Sequence, residues 1–374
     1  MNLSRAIFNA YFLTGRKCIA LLSILFIILF SPEITPAETS RPFRIKDAAG
    51  REVSFNKLPR RIVVIGIGPF MAMDLIYMFP EVRDRLAGYE VKFKIKNDFL
   101  PLVDPEFQHK ATLGTNPGPE QVAALNPDLV IMKGTVPMPI GESLRVMGIP
   151  AVYLGLETPD LFFKDVENLG LLFGNPERAR EISDYYHQVL DRINKRIEFV
   201  PEGERPRVLV LEYSDRGGKV AVQVPARSWM QTIQALVAGG RPVWLKSAHP
   251  TDGWTITNFE QIAAWDPDKI FAMIWFTLAP GKVIESLKAD SSWRMLKAVR
   301  NNDLYAFPSD IFGWSTPEPR WILGVQWLAK KMHPDLFPDI DIKAEVFRYF
   351  TGMYFLEEGV VASKIIPSIY LGSE

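Results

Sequence analysis

One stretch of this sequence occurs twice, and this repeat constrains the fold more than any other feature. Residues 120–132 read EQVAALNPDLVIM, and residues 260–273 read EQIAAWDPDKIFAM. Each copy begins as a helix, because its apolar residues are three apart and Pro127 or Pro267 discourages helix at the residue before it. The apolar run after each proline is typical of a buried strand. The repeat therefore predicts two related halves.

Local signals indicate where each repeated helix begins. Gly118 suits the N-cap of the first copy, and Pro119 suits its first helical position. Asn258 suits the N-cap of the second copy, because its side chain can accept a hydrogen bond from a free backbone N–H. The strands are expected over residues 129–132 and 270–274.

Strands and helices alternate around both copies, which is typical of an open parallel α/β sheet. We predict an α/β fold with two Rossmann-like, parallel-sheet lobes over residues 43–170 and 204–331. Residues 171–203 join them, because residues 176–200 carry apolar side chains at three- and four-residue spacing and predict one long amphipathic helix. Residues 332–374 form a predicted helical extension.

The glycines after the first predicted strand resemble part of a dinucleotide-binding fingerprint. Gly66 and Gly68 have the right spacing, but Met71 stands where the third glycine belongs. We therefore predict a tight strand-to-helix turn at the carboxyl edge of a sheet rather than a site for NAD.

The N-terminal residues 1–37 have the pattern of a secretory signal peptide. Basic residues precede an apolar run at 18–30, and a candidate cleavage site follows at 35–37. The run is short for a membrane span, and an uncleaved anchor is the alternative. We predict export to the periplasm.

Cys18 is the only cysteine, and it lies at the start of the apolar run. It is not placed to carry a lipid just after the signal, so we predict that the protein is not a lipoprotein. A mature chain without cysteine has no disulfide, thiolate nucleophile or cysteine-zinc site.

Composition and motifs exclude several function classes. Lys plus Arg and Asp plus Glu both number 43, which gives no support to nucleic-acid binding. The four histidines are scattered without metal-ligand spacing, and neither a Gly-x-Ser-x-Gly nor a Gly-Lys-Ser/Thr motif occurs. We predict no enzymatic activity, no resident metal and no cofactor. A secreted two-lobed α/β enzyme is the alternative from another class, and the α/β pattern disfavours an adhesion module.

The sequence resembles the substrate-binding proteins of ABC importers, in the class that serves ferric siderophores, haem and cobalamin. The resemblance covers about residues 43–331, and its most specific part is the paired Glu-x-[Val/Ile]-Ala-x-x-x-Pro-Asp motif. It implies two α/β lobes joined by a rigid helix, with a ligand cleft between them. It also implies a permease dimer in the inner membrane as partner.

The resemblance assigns a docking role to one glutamate in each lobe. By motif these are Glu120 and Glu260, which would meet arginine pockets of the permease. The helix dipole also favours an acid in a first turn, but the two-fold placement supports docking.

Ligand-binding residues are predicted mainly in the second half. Trp254 lies where cobalamin-binding relatives have a cleft tryptophan, but Gly114 replaces the aromatic residue expected in the first lobe. Strand ends and loops suggest further side chains, and arginines could meet an anionic chelate. The full predicted set is Tyr213, Arg216, Arg227, Trp254, Trp275, Asp310, Trp314 and Arg320.

Aromatic residues suit a bulky organic ligand, so we favour an iron(III)–organic chelate of the siderophore type. A molybdate- or tungstate-type oxyanion, haem and cobalamin are the alternatives. We predict a monomer that delivers this small molecule to the permease.

Overall fold

The computed structural model describes residues 42–92, 98–216, 219–251, 253–274, 277–310 and 313–372. The predicted signal peptide lies outside these residues. Residues 42–374 belong to one compact unit. Within the described part of the chain, no helix combines the length and apolar character needed to cross a bilayer.

The first half forms a five-stranded parallel sheet with the order β5-β4-β3-β6-β7. An antiparallel hairpin of β1 and β2 precedes it. The central strands β3 and β6 are buried along their whole length, which explains their unbroken apolar runs. The strands are β1 (Phe43–Lys46), β2 (Glu52–Phe55), β3 (Ile62–Gly66), β4 (Leu86–Glu90), β5 (Ala111–Leu113), β6 (Leu129–Lys133) and β7 (Ala151–Leu154).

The second half forms a mixed sheet with the order β11-β9-β8-β12-β13, and β10 pairs with β8. Strands β8, β10, β12 and β13 are parallel, whereas β9 runs antiparallel to β8 and to β11. The strands are β8 (Arg207–Arg216), β9 (Lys219–Val224), β10 (Arg241–Pro242), β11 (Thr255–Thr257), β12 (Lys269–Ile274) and β13 (Leu304–Ala306).

The antiparallel strands are a difference from the purely parallel sheet that we predicted for this half. Arg216 pairs with Lys219, so residues 217 and 218 alone connect β8 to β9. Two glycines between strands are a strong signal for a two-residue hairpin.

Helices cover both sheets, and many begin at a proline, which fits the first helical position. They are α1 (Pro69–Ile76), α2 (Val82–Arg85), α3 (Leu100–Val103), α4 (Pro119–Ala123), α5 (Pro139–Val146), α6 (Pro159–Phe173), α7 (Pro176–Ile197), α8 (Met230–Val237), α9 (Phe259–Trp265), α10 (Pro280–Ala289), α11 (Lys297–Arg300), α12 (Trp321–Met332), α13 (Ile342–Tyr354) and α14 (Glu358–Val360).

The repeated stretch is the same structural unit in both halves. Helices α4 and α9 begin after Gly118 and Asn258, as predicted, and strands β6 and β12 follow. The residue before each proline turns the chain in the left-handed region, with φ of 48° at Asn126 and 41° at Asp266. Asparagine and aspartate tolerate this conformation better than most residues, which explains the Asn/Asp-Pro pair.

The aspartate after each proline ties this unit to the first strand of its sheet. The Asp128 carboxylate accepts hydrogen bonds from the backbone N–H groups of Arg60 and Arg61, at 2.9 and 2.8 Å. In the second half, the Asp268 carboxylate accepts one from the N–H of Arg207, at 2.8 Å. The motif therefore fixes a helix, a turn and two strand starts together.

The predicted connector is the 22-residue helix α7, which ends at Ile197, three residues before the predicted end. Asn175 caps it, because its side chain accepts a hydrogen bond from the Arg178 N–H. Gly174, with φ of 73°, ends α6 in the left-handed region just before it. Its buried residues recur at three- and four-residue spacing, as the amphipathic pattern required.

The C-terminal residues contact elements of both halves. Tyr354 at the end of α13 accepts a hydrogen bond at its carbonyl from Arg83 and donates its hydroxyl to the carbonyl of Asp74. Further along, Tyr370 forms a two-way backbone bridge with Ser309. The predicted helical extension therefore holds first-half and second-half elements together.

Candidate functional site

A cavity of about 430 Å³ lies between the two sheets. It opens at the carboxyl ends of the parallel strands, where ligands bind in open α/β sheets. Its described lining is Ile67, Gly68, Phe70, Met71, Lys92, Lys133 and Glu157 from the first half, and Glu212, Trp229, Gln231, Trp254, Met273, Ile274, Pro280, Phe307, Ser309, Gly313, Ser315, Thr316 and Pro317 from the second half.

Aromatic rings form much of the second-half wall. Trp229 and Trp254 meet edge to face, with ring centroids 5.2 Å apart and planes inclined by 82°. Phe307 adds a ring from the end of β13, and Phe70 faces the same cavity from α1. Such rings offer a large apolar surface to a ligand.

The first-half wall carries two lysines, each beside a carboxylate. Lys133, the last residue of β6, is buried and donates a hydrogen bond to Glu157. The Nζ of Lys92 lies 3.6 Å from the buried carboxylate of Glu90. Each cation is therefore largely compensated by a neighbouring acid before any ligand arrives.

Glu90 also explains the glycine turn between β3 and α1. Its carboxylate accepts hydrogen bonds from the backbone N–H of Gly66, at 2.7 Å, and of Asn116, at 2.8 Å. Gly66 and Gly68 have positive φ angles of 100° and 57°, which suit glycine. The predicted tight turn is confirmed. The Glu90 carboxylate already accepts the hydrogen bond of the Gly66 N–H, which a bound phosphate would need.

The second-half wall contributes two buried polar side chains. Glu212 on β8 accepts a hydrogen bond from the Nε2 atom of Gln223 at 2.9 Å. Gln231 on α8 is 4% exposed, and its Oε1 atom has no hydrogen-bond partner. An unpaired buried polar atom is costly, so a ligand group that donates to it would be favoured.

The predicted ligand residues fall in different places. Trp254 lines the cavity, whereas Tyr213 is half-buried on β8 outside the cavity lining, and burial raises its pKa. Arg227 is exposed in the loop after β9, also outside the lining. Trp275 and the side chain of Arg216 lie outside the described residues.

Three predicted residues, Asp310, Trp314 and Arg320, are not among the described lining residues of the cavity. Trp314 is fully buried, and its backbone carbonyl accepts a hydrogen bond from the Gln234 side chain. Arg320 is also fully buried, and the Asp310 carboxylate lies 2.8 Å from its Nε atom. Asp310 and Arg320 therefore form a close ion pair behind the cavity wall.

Arg320 has two further carboxylate neighbours. Its Nη2 atom lies 2.8 Å from the carboxylates of both Asp74 and Glu318. Burial raises the pKa of Asp74 to about 7, against the opposing effect of the Arg320 charge. Burial likewise raises the pKa of Glu318 well above its usual range.

Most residues of the cavity were missed by sequence reasoning, although one signal could have found several. Lys133, Ile274 and Phe307 stand at or just after the ends of predicted strands. The rule that ligands bind at these ends was applied to the second half alone. Glu157 and Gln231 carry no comparable sequence signal.

The two predicted docking glutamates occupy equivalent positions. Glu120 is exposed in the first turn of α4, and Glu260 is exposed in the first turn of α9. Within the described ranges, no group of three or more His, Cys, Asp or Glu side chains could hold a metal ion.

The sequence profile described as periplasmic binding protein matches residues 101–311 of this chain, more than half of its length. The chain belongs to the periplasmic binding protein family. It is thus the periplasmic substrate-binding component of an ABC transporter, which confirms the predicted family and general role. These proteins are transport components rather than enzymes.

Curated relatives of this binding protein are distant in sequence. The molybdate-binding protein MolA of Haemophilus influenzae is 23% identical over 270 residues, which cover 67% of this chain and 74% of the relative. The uncharacterized ABC transporter substrate-binding lipoprotein YvrC of Bacillus subtilis is 21% identical over 303 residues, covering 80% and 88%.

Solved structures support the fold of this binding protein. A periplasmic solute binding protein from Veillonella parvula superposes with a TM-score of 0.68 at 21% identity, covering 87% of this chain and 99% of that one. The molybdate-bound MolA structure gives a TM-score of 0.65 at 18% identity, covering 84% and 98%. The two-lobed α/β architecture is therefore confirmed.

Proposed function

We propose that this periplasmic binding protein captures a bulky organic metal chelate of low net charge, such as an iron(III)–siderophore complex. It would deliver the chelate to a permease dimer in the inner membrane. The observation that carries the proposal is the cavity of about 430 Å³ between the lobes, with Trp229, Trp254, Phe70 and Phe307 in its wall. This volume lies in the range of about 300–1,000 Å³ that suits organic ligands.

The charges in the cavity favour a ligand without a large negative charge. Its charged lining residues in the described chain are Lys92, Lys133, Glu157 and Glu212, which balance in sign. No arginine lines it among the described residues. A polyanionic chelate would gain little here and would meet Glu212, whereas a neutral chelate would avoid this repulsion. A neutral chelate therefore replaces the anionic chelate that the predicted arginines favoured.

A molybdate-type oxyanion is the second candidate, because the relative MolA is named for molybdate binding. Oxyanions need converging N–H donors and cations in a small site. The wide aromatic wall of this cavity supplies neither to such an ion, so molybdate is the second candidate.

The test is a binding panel measured by native mass spectrometry and isothermal titration calorimetry. It comprises ferrichrome as a neutral ferric trihydroxamate, ferric enterobactin as a trianionic tricatecholate, ferric citrate, haem, cyanocobalamin, molybdate and tungstate. We expect the neutral ferric trihydroxamate to bind more tightly than both anionic ferric chelates. Saturable binding of molybdate or tungstate alone would refute the proposal. Conversion of a bound compound into product would support the enzyme alternative.

Docking on the permease is proposed for Glu120 and Glu260. The support is their exposure and their equivalent places in the repeated unit. A two-fold partner would present the same pocket twice, and an acid on each lobe fits that geometry. We also propose that the mature protein is a monomer without a lipid anchor.

A further inference from the structure

The cavity is backed by a buried charge cluster that joins the two lobes. Asp74 belongs to α1 of the first lobe, and Arg320 immediately precedes α12 of the second. The Arg320 Nη2 atom donates a hydrogen bond to the Asp74 carboxylate at 2.8 Å, although the residues are 246 positions apart. Both side chains are almost fully buried, so water does not screen this contact.

The cluster connects to the cavity wall on both sides. Phe70 and Met71 line the cavity from the same helix as Asp74. The second lobe contributes the cavity segment, which we define as residues 307–310 and 313–317. Asp310 lies within this segment and Glu318 directly follows it, and Arg320 contacts both carboxylates at 2.8 Å. The Arg320 guanidinium therefore contacts the first-lobe helix and the second-lobe segment that form the two walls of the cavity.

The cluster contains more acid than base. Three carboxylates, those of Asp74, Asp310 and Glu318, surround one guanidinium, and all are nearly inaccessible. Three buried anions around one cation would leave excess negative charge, which a low-dielectric interior opposes. The favourable state is one in which a carboxyl retains a proton.

We propose that Arg320 is a positioning residue for the cavity. It locks helix α1 of the first lobe to the cavity segment of the second, and a proton retained among its carboxylate partners keeps this lock closed. Its effect on ligand affinity rests on the proposed function, whereas its effect on the distance between the lobes does not.

The pH range follows from the surroundings of Asp74. Burial raises its pKa to about 7, so it is protonated below that pH and ionised above it. The ionisable groups around Asp74 are Arg320, Asp310 and Glu318, Asp98 before α3, and Tyr354 of α13, while Tyr186 of α7 and Tyr349 of α13 lie near Arg320. Burial raises the pKa of Asp98 and of these tyrosines, and no carboxyl or phenol group gains positive charge as pH rises, so none of them offsets the charge that Asp74 gains.

The sign of the linkage is clear. Between about pH 4 and 7 the folded chain holds a proton on Asp74 that the unfolded chain releases, so this group's contribution to stability falls as pH rises. Above pH 7 the site must bury an additional negative charge, whose desolvation outweighs the attraction of Arg320, and the lock loosens.

The test measures the distance between the lobes by double electron–electron resonance. Nitroxide labels are attached at Val146→Cys in the first lobe and Met295→Cys in the second, two exposed positions, with Cys18→Ser in the background. We expect one narrow distance distribution at pH 5.5 and a broader one at pH 8.5. In Asp74→Asn, which removes the titration, the distribution should stay narrow at both pH values.

Arg320→Lys tests the lock itself, because an ammonium cannot hold three carboxylates in a fork. Its distribution should be broad at both pH values. Glu345→Gln is the matched control: this buried acid contacts Arg192 and Arg348, away from the cavity, and its pH response should match the parent. Unchanged distributions in the parent and in Arg320→Lys would overturn the proposal, as would a parent-like pH response in Asp74→Asn. If Arg320→Lys does not fold, Asp74→Asn still decides.

A ligand readout separates this inference from the proposed function. With ferrichrome as probe, the parent should lose affinity between pH 6 and 8.5, and Asp74→Asn should lose less. If ferrichrome does not bind, the proposed ligand class fails, whereas the label distances still test the lock. A pH-independent affinity in the parent would overturn the link between the lock and the cavity.

Discussion

Trp254 presents an aromatic ring to the cavity and meets Trp229 edge to face. Its neighbour fixes the orientation of the indole before a ligand arrives, so little side-chain entropy is lost on binding. Trp254 is therefore the residue at which the contact between the aromatic wall and a ligand is tested most directly.

We expect Trp254→Ala to weaken binding of the matching ferric chelate by roughly 1–3 kcal/mol, because the lost ring buries apolar surface against the ligand. This corresponds to an increase in Kd of about 5- to 150-fold. Calorimetric titration of the parent and the variant measures it. Trp265→Ala, which removes a tryptophan outside this cavity, is the control and should bind as the parent does. Equal affinities for Trp254→Ala and the parent would assign this ring to the core alone.

Individual side chains were harder to predict than their neighbourhood. Trp254 was found because its place relative to Glu260 could be compared with the family pattern. Arg320 was misplaced because a sequence cannot show that Asp74, so distant along the chain, would meet it. An arginine next to a cleft loop looks the same in a sequence whether it faces solvent or three buried acids.

The repeated helix–turn–strand unit depends on one aspartate in each half. In the first half, the Asp128 carboxylate accepts hydrogen bonds from the N–H groups of Arg60 and Arg61 at the start of β3. The Arg61 side chain adds a hydrogen bond to the carbonyl of Leu125, at the end of the helix. The unit therefore begins two strands and ends a helix at one point.

We expect Asp128→Ala to lower the free energy of unfolding by about 1–3 kcal/mol, because it removes two hydrogen bonds to a charged acceptor. Urea unfolding followed by circular dichroism measures the change. Glu142→Ala is the control, since Glu142 is exposed and pairs with Arg145 on the surface of α5, where solvent screens the pair, so its loss should cost much less. Similar losses for the two variants would contradict the role of Asp128.

Elements with a local signal were predicted well, and those without one were missed. The starts of α4 and α9 followed from Gly118, Pro119 and Asn258, and helix α7 followed from its amphipathic pattern. Strand β11 was missed, because it pairs through contacts that its own short sequence does not specify, and β9 was missed although the two glycines before it are a hairpin signal. Short strands take their stability from their neighbours, so periodicity alone does not reveal them.

For the whole molecule, the exposed acids of the repeated unit predict how it engages the transporter. Glu120→Arg combined with Glu260→Arg should abolish uptake in cells while leaving ligand affinity unchanged, because both positions lie outside the cavity. Glu142→Arg combined with Glu285→Arg, two exposed acids outside the repeat, is the matched control and should transport normally. Uptake at the parental rate by the first pair would exclude the docking assignment.

Closure of the lobes on a ligand should be small. Helix α7 has no proline or glycine after its first residue, and such a helix resists bending. Its Arg178 donates hydrogen bonds to the carbonyl of Met78 and to the carbonyl of Met353, which adds a second restraint. Small-angle scattering with and without ligand should give nearly the same radius of gyration. A marked decrease on binding would mean that the lobes hinge elsewhere.

The hydrogen bonds of Tyr354 to Arg83 and Asp74 have a consequence for how the protein matures after export. The chain is made from its N-terminus, and the helix that covers these first-lobe residues is made after the strands of both sheets. Until α13 arrives, Phe99 lacks its ring contacts with Phe350 and Tyr354 and remains open to chaperones and proteases. A messenger truncated before this helix would therefore yield a product destined for degradation, even though both sheets had been translated.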